Sequence, residues 1–447
     1  MKIFNYLTFI LLLIISGGLR AENISKIEIQ INNGDEDRYF MYKHIGDKTL
    51  KVDSALLVDE KLMFSNFYNP GMYSIIKNAK GFSFLVNEHF IQLQTDWVNP
   101  IQHLVAEKSI ENMAWFNYLR KRNESYNKLN LLKNITLQYD PTTEFYQHAK
   151  DEFYRVQNNY RNLVENVPES TLAHAFMLAD LNPVIKHNLP FNQQSESFKE
   201  KWFEFVDWQN NHLINSDILT NKIDEFLGLY SGQGKTREQM QEVFMGAVDH
   251  LLPLTLVNPK MQLFVVDFLI RKFEKIGMDE VIVYIGENYS FFEGRCESEN
   301  EENDLLSKLK KFEKMSIGKV APEIILPDLS GNIHKSKNNF DEKNLIVFWS
   351  TRCSHCTSLM PQLSQWYDDA KHKGWTITAI SLDKDKTELN EYLKNNNLEI
   401  NVLCDFQGWK SPVALDFNIT ATPTMIVLDK SGTILGKPFW LRELNEF

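Results

Sequence analysis

Apolar and polar residues alternate along 24–31 (Ile24-Ser25-Lys26-Ile27-Glu28-Ile29-Gln30-Ile31), the period-two pattern of a strand buried on one face. Shorter runs of the same kind follow at 38–44, 49–53, 56–58, 61–65, 72–76, 82–86 and 90–94. Asn33-Gly34 and Pro70-Gly71 supply turn chemistry between them, with further breaks at 46–47 and 78–81. Residues 22–99 therefore read as a small all-β module, a sandwich or a partly open barrel. Phe67, Tyr68 and Tyr73 fit either a binding face or ordinary strand packing, since aromatics favour strands.

From residue 100 the period lengthens. Apolar residues recur three and four apart over 111–130, 144–167, 170–179, 196–214, 217–230, 237–252 and 260–276, which predicts helices. Pro168, Pro183, Pro190, Pro253 and Pro259 punctuate them, and Asp217 and Thr236 suit N-caps. The charge-rich stretch 297–304 reads as a solvated linker before a short helix at 305–315. Residues 100–315 form, on this reading, an all-α helical module with a linker. The histidines here (His103, His148, His174, His187, His212, His250) are scattered and lack the spacing of a bundle metal site, so no metal is expected.

Beyond 316 strands and helices alternate. Strands are predicted at 324–326, 345–349, 376–382, 400–404, 424–428 and 433–435, and helices at 354–374, 387–395 and 440–447. That order predicts an α/β layer with a mixed sheet over 316–447. The whole chain is thus multidomain: all-β, then all-α, then α/β.

The chemistry concentrates in the third part. Trp349-Ser350-Thr351-Arg352-Cys353-Ser354-His355-Cys356 follows the apolar run Leu345–Trp349 and precedes a predicted helix. A helix start offers free N–H groups and partial positive charge, which stabilise a thiolate at Cys353. Cys356 lies about one turn on, within reach of closing a disulfide. His355 could favour the Cys353 thiolate or simply be exposed. Arg352 could stabilise the thiolate, orient an acidic partner or be solvated. The other two of four cysteines, Cys296 and Cys404, could be bridged, although a strand-end Cys404 also fits an inert buried thiol.

Charge and targeting narrow the setting. The net charge of −11 argues against a nucleic-acid partner, which calls for a basic face. Lys2, an apolar run over 6–15 and Ala21 have the layout of a signal peptide over 1–21, too short for a comfortable membrane span. The expectation is an exported protein, without stable membrane insertion after cleavage, in a compartment where disulfides persist.

The third part resembles the thioredoxin-like family, and its TlpA/ResA-like, alkyl-hydroperoxide-reductase-related branch in particular. Gly318-Lys319-Val320-Ala321-Pro322 with Leu326-Pro327-Asp328-Leu329-Ser330-Gly331 looks like the branch's N-terminal extension. Phe348-Trp349-Ser350-Thr351-x-Cys353-x-x-Cys356 looks like its active-site strand and turn, with Pro361 at the helix kink. Ala421-Thr422-Pro423-Thr424 looks like the loop that holds the family's cis-proline. The resemblance implies Cys353 as nucleophile, Cys356 as resolving thiol, Trp349 packed beside the site, and Thr422-Pro423 as the element that positions substrate. It implies no cofactor beyond the Cys353–Cys356 disulfide. The implied partners are protein disulfides or dithiols and a membrane thiol electron donor of the DsbD kind, in the periplasm of a Gram-negative bacterium. The acids that relatives carry would fall at Val347 and Leu359, both apolar here. Thiol–disulfide oxidoreductase is the leading reading. A redox-poor docking protein on a thioredoxin scaffold and a peroxide-reducing relative are the alternatives; no Pro-x-x-x-Thr-x-x-Cys pattern leads into Cys353.

Overall fold

The computed structural model describes residues 24–184, 191–232, 235–289, 299–336, 340–396, 398 and 400–447. The segment 1–21, His187, Pro190 and Cys296 lie outside them, and with Cys296 the bridge to Cys404. The chain forms two compact units, residues 1–231 and 232–447. Among the described residues no helix is long and apolar enough to cross a membrane.

Among the described residues the first unit has eight strands: β1 (Ser25–Asn32), β2 (Arg38–Ile45), β3 (Lys48–Leu56), β4 (Lys61–Asn66), β5 (Gly71–Lys77), β6 (Lys80–Val86), β7 (Phe90–Asp96) and β8 (Val105–Lys108). They make two four-stranded sheets, ordered β4-β1-β7-β8 and β3-β2-β5-β6. The alternation sets which face is buried. Ile27, Ile29 and Ile31 are fully buried, and they pair across to Phe64 and Leu62 on β4 and to Ile91, Leu93 and Thr95 on β7. The runs 49–53 and 56–58 are not separate strands: 48–56 is one edge strand whose register shifts opposite Met41/Tyr42. β8 falls beyond the expected end of the β region, where four residues are too few to show a period.

The unit's α-helices among the described residues are α1 (Ile110–Gln138), α2 (Glu144–Glu165), α3 (Leu172–Asp180), α4 (Phe191–Glu200) and α5 (Ile218–Gly228). Ser109 caps α1 by accepting the Asn112 N–H at 3.0 Å. The Asn112 amide then pairs with the Leu85 backbone on β6, accepting at 2.7 Å and donating at 2.8 Å, which locks helix to sheet. The helix expected over 196–214 is broken. α4 ends at Glu200, and a short 3-10 turn covers Asn211–Asn215. Asp207 and Asn210 accept the N–H groups of Gln209 and His212 at 3.0 Å each, so local side-chain bonds outcompete the helix. Trp202, Phe203, Val206 and Trp208 are buried in the non-helical segment, where no single helical face could hold them all.

The second unit opens with α6 (Arg237–Thr255), α7 (Pro259–Lys275), α8 (Asp279–Tyr289) and α9 (Glu299–Lys314). Pro253 lies inside the last turn of α6 rather than beyond it. The described part of the expected linker, from residue 299, is the first turn of α9. These helices share a compact unit with the α/β layer, so the stretch 100–315 is divided between the units. Met315, just past α9, joins Ile324, Phe348 and Ile434 in one core cluster, and Lys437 meets Asp279 at 2.7 Å. A helical period shows that a face is buried but not which neighbour buries it.

The α/β layer comprises β9 (Ile325–Pro327), β10 (Ile333–Lys335), β11 (Lys343–Trp349), α10 (Ser354–Ala370), β12 (Trp375–Ser381), α11 (Lys386–Asn395), β13 (Asn401–Leu403), α12 (Pro412–Asp416), β14 (Thr424–Asp429) and β15 (Ile434–Gly436). Its five-stranded sheet runs β13-β12-β11-β14-β15. β12 is parallel to β11 and β13, while β14 is antiparallel to β11 and β15, as a mixed sheet requires. The C-terminal segment is a 3-10 turn at Leu441–Glu446. β11 is central and buried on both faces, which explains its unbroken apolar run.

Candidate active site

The turn at the end of β11 is held from below. Trp349, fully buried, packs its ring against Tyr392 at 5.5 Å. One strand over, parallel pairing brings Ser381 opposite Trp349 and leaves Asp383 just past the end of β12. Asp383 is 3% exposed. Its carboxylate accepts from Ser350 Oγ at 2.7 Å, the Thr351 N–H at 3.1 Å, Thr351 Oγ1 at 2.8 Å and Ser381 Oγ at 2.8 Å. A buried carboxylate needs such a set of donors, and here they fix the backbone that delivers Cys353.

Cys353 is the N-cap of α10. Its backbone is extended (φ −97°, ψ 114°), and its sulfur accepts the Cys356 N–H at 3.3 Å. The sulfur thus occupies the place where a Ser or Asp oxygen usually sits, against the free N–H groups and positive end of the helix. On its other side the Cys353 thiol donates to the Thr422 carbonyl at 3.2 Å. The Thr422–Pro423 bond is cis. Partial burial pushes the Cys353 thiol up, but the Cys356 thiol and backbone N–H, the Thr422 side chain and the His355 backbone hold it below its ordinary value. Cys356 is fully buried beside Trp349, Met360 and Leu363. Burial, and then its hydrogen bond to Cys353, raise its thiol well above the usual range. One accessible sulfur is primed as a thiolate and the other is held protonated one turn on.

The neighbours are distributed differently from their sequence positions. The Arg352 guanidinium, 73% exposed, pairs with Glu388 on the first turn of α11 at 2.8 Å, and Glu388 raises its pKa. His355 is exposed, and its backbone N–H is what acts on the Cys353 sulfur. Val347 is buried in the core and Leu359 packs half-buried against the same cluster, so neither supplies a proton acceptor. Tyr392 sits nearby: its hydroxyl donates to the Thr357 carbonyl at 3.1 Å, and burial and then the Cys356 charge raise its pKa. Cys404 is fully buried, its sulfur 3.7 Å from the Asp383 carbonyl, and burial raises its pKa. Asp383 and Tyr392 lie more than 25 positions from Cys353 and Cys356, and only the place of Asp383 at the edge of a predicted strand hinted at either.

A family profile for thioredoxin-like proteins matches residues 341–434. Residues of this chain are 30% identical over 125 positions to the thiol-disulfide oxidoreductase ResA of Bacillus thuringiensis subsp. konkukian, spanning 28% of this chain and 70% of that protein. The chain belongs to the ResA-like, thioredoxin-fold thiol–disulfide oxidoreductases. A thioredoxin-like protein of Bacillus subtilis, YneN, is 27% identical over 128 positions, 28% of this chain and 72% of its own length. Among solved structures, a thiol-disulfide oxidoreductase from Bacteroides fragilis is similar at 27% identity and a TM-score of 0.27, covering 29% of this chain and 96% of that one. As a member of this family the chain is an oxidoreductase of thiols and disulfides, and its family-matched part is the α/β layer.

Proposed function

We propose that this oxidoreductase exchanges disulfides with protein partners through Cys353 and Cys356, and that it works after export, in a periplasm reached by cleavage of 1–21. The observation that carries the reading is the Cys353 sulfur, set between the α10 N-terminus and the Thr422 carbonyl. In the reductive direction the Cys353 thiolate attacks one sulfur of a partner disulfide. A mixed disulfide forms, the partner's S–S bond breaks, and one partner thiolate leaves and takes a proton. Cys356 then loses its proton and attacks the Cys353 sulfur, which releases the second partner thiolate. Two electrons have passed, and the Cys353–Cys356 disulfide that results is returned to a dithiol by an external thiol donor, for which a membrane dithiol protein is the proposed class. Run in reverse, the same steps oxidise a partner dithiol. Stabilising the Cys353 thiolate favours the reduced pair and so makes the disulfide more oxidising.

Thr422 and Pro423 take the positioning role: their loop lies against the reacting sulfur and offers backbone groups to an extended partner segment. Trp349 and Arg352 act at one remove, the first by packing under the turn and the second by tying it to α11. Insulin-disulfide turnover with the dithiol potential tests the reading. Turnover falls to background in Cys353→Ser, and Cys356→Ser accumulates a mixed disulfide. Undiminished turnover in Cys353→Ser would end the proposal. Fusion of 1–23 to a reporter enzyme that is active only after export tests the location.

A further inference from the structure

The first unit holds a cavity that thiol chemistry does not use. It measures about 460 Å³ and opens between the β5–β6 hairpin and α1. That is within the range of small-molecule pockets, roughly 300–1,000 Å³. Phe116 and Leu119 on one face of α1 and Ile76, on the same face of β5 as Ser74, give it apolar walls. Ile101 lines it while remaining 77% exposed, so apolar surface continues out of the mouth.

The floor is polar and built from three strands. Antiparallel pairing puts Ser74 of β5 directly opposite Ser83 of β6. Their hydroxyls are 2.8 Å apart, and His44 Nε2 on β2 is 2.6 Å from Ser74 Oγ. Ser74 and His44 are buried, while Ser83 is half-buried and lines the cavity. Burial lowers the pKa of His44 against the pull of Asp217, so the ring is neutral and offers one donor and one acceptor. A file of hydroxyls then has a direction. If the ring accepts from Ser74, Ser74 accepts from Ser83, and Ser83 faces the cavity as an acceptor. If the ring donates, Ser83 faces the cavity as a donor. Either way hydrogen-bonding capacity is delivered into an otherwise apolar pocket, and buried polar groups are costly unless something uses them.

The mouth is cationic. Among the described residues the lining includes Lys80, Arg120 and Arg122 and no carboxylate, on a chain whose net charge is −11. Arg122 is held by Asp180 at 2.7 Å. Arg120 is exposed, with Nη1 3.5 Å from the Leu104 carbonyl, and Lys80 rests on the Val98 carbonyl at 2.6 Å.

We propose that this cavity binds a small anionic amphiphile: a medium-length acyl carboxylate that bears a hydroxyl or keto oxygen. Its chain lies between Ile76 and the Phe116–Leu119 face, its carboxylate meets Arg120 and Lys80 at the mouth, and its second oxygen bonds Ser83. Calorimetric titration of the full chain with 3-hydroxydecanoate, decanoate and methyl 3-hydroxydecanoate tests this. The hydroxy acid binds at one site and more tightly than either comparator. Leu119→Trp fills the cavity and abolishes the heat. Arg120→Glu weakens the hydroxy acid about fivefold or more and leaves the ester unchanged. Ser83→Ala reduces the hydroxy acid to the affinity of decanoate. Insulin turnover of each variant and the melting curve of Arg120→Glu match the parent; Arg120, being exposed, carries the test if Leu119→Trp does not fold or Ser83→Ala is destabilised. Absence of saturable heat from the hydroxy acid, equal binding of acid and ester, or binding indifferent to Arg120→Glu overturns the proposal.

Discussion

Two arrangements of nucleophilic side chains in this protein are made in opposite ways. The Cys353–Cys356 pair is local: both sulfurs belong to one helical turn, and the N–H that steadies Cys353 comes three residues on. The His44–Ser74–Ser83 file is long-range, with each member on a different strand and joined by register alone. In the first, a helix terminus supplies positive potential and the sulfur is left partly open. In the second, the bonds are satisfied end to end, and the file meets a cavity at Ser74 and the more exposed Ser83. A reactive group and a binding group therefore differ less in residue type than in whether the surrounding dipoles converge on an accessible atom.

The sharpest way to break this comparison is at Asp383, a long-range support beneath the local thiol pair. Asp383→Asn replaces an acceptor facing the Thr351 N–H and three hydroxyls with a group that must also place two donors there. Loss of a buried charged acceptor costs about 1.5–3 kcal/mol. Denaturant unfolding reads that loss, and insulin turnover falls with it because the Ser350–Cys353 turn loosens. If turnover is retained while stability drops, the turn is positioned by α10 alone.

Ser74→Ala is the counterpart in the first unit. It leaves His44 and Ser83 without their shared partner, at a cost of about 1–3 kcal/mol. Turnover is unchanged, since the thiol pair belongs to the other unit. A fall in turnover at unchanged stability would contradict the separation drawn between the two places.

The proton chemistry gives a smaller and more exact contrast. Its neighbours hold the folded Cys353 thiol below its ordinary value. Its alkylation by iodoacetamide should therefore rise with pH through a midpoint below that value, with Cys356 unreactive over the same range. The linked stability has the same sign: in the reduced protein the Cys353 contribution is complete above the unfolded thiol pKa and is lost as pH falls through the folded one. It shows as a pH-dependent stability difference from Cys353→Ser, and a midpoint at or above that of the unfolded Cys353 thiol would remove the helix-terminus argument.

Arg352→Ala is expected to do least. Its guanidinium is exposed and engaged with Glu388. Exposed ion pairs contribute little, so the melting temperature and the Cys353 alkylation midpoint stay where they are. A midpoint that rises would mean that the arginine charge reaches the sulfur after all.

Much of the site could be read from the residues because its determinants are close in sequence. The run from Leu345 to Trp349 is apolar because β11 is central, and Cys353 stands where α10 must begin. The Thr422–Pro423 loop could be matched only by resemblance, and its distance to Cys353 came from the pairing of β11 with β14. Asp383 escaped notice because an acid after a strand usually reads as a solvated turn. Arg352 and His355 invited a direct electrostatic role, whereas their side chains face Glu388 and solvent. In the helices, the break after Glu200 was hidden because Asp207 and Asn210 do not disturb the apolar period of the residues around them.

The amino-acid sequence by itself determined the two-residue period of the strands, the helical period after them, and the thiol pair at a strand–helix junction. These rest on backbone geometry repeated every few residues. Only the tertiary structure decided which helices share a unit with the α/β layer, that Asp383 supports the active turn, that Thr422 faces Cys353, and that His44, Ser74 and Ser83 form one file. Each of these depends on strand register and on which buried face meets which, where free energy is gained between residues far apart in the chain and no local pattern records the partner.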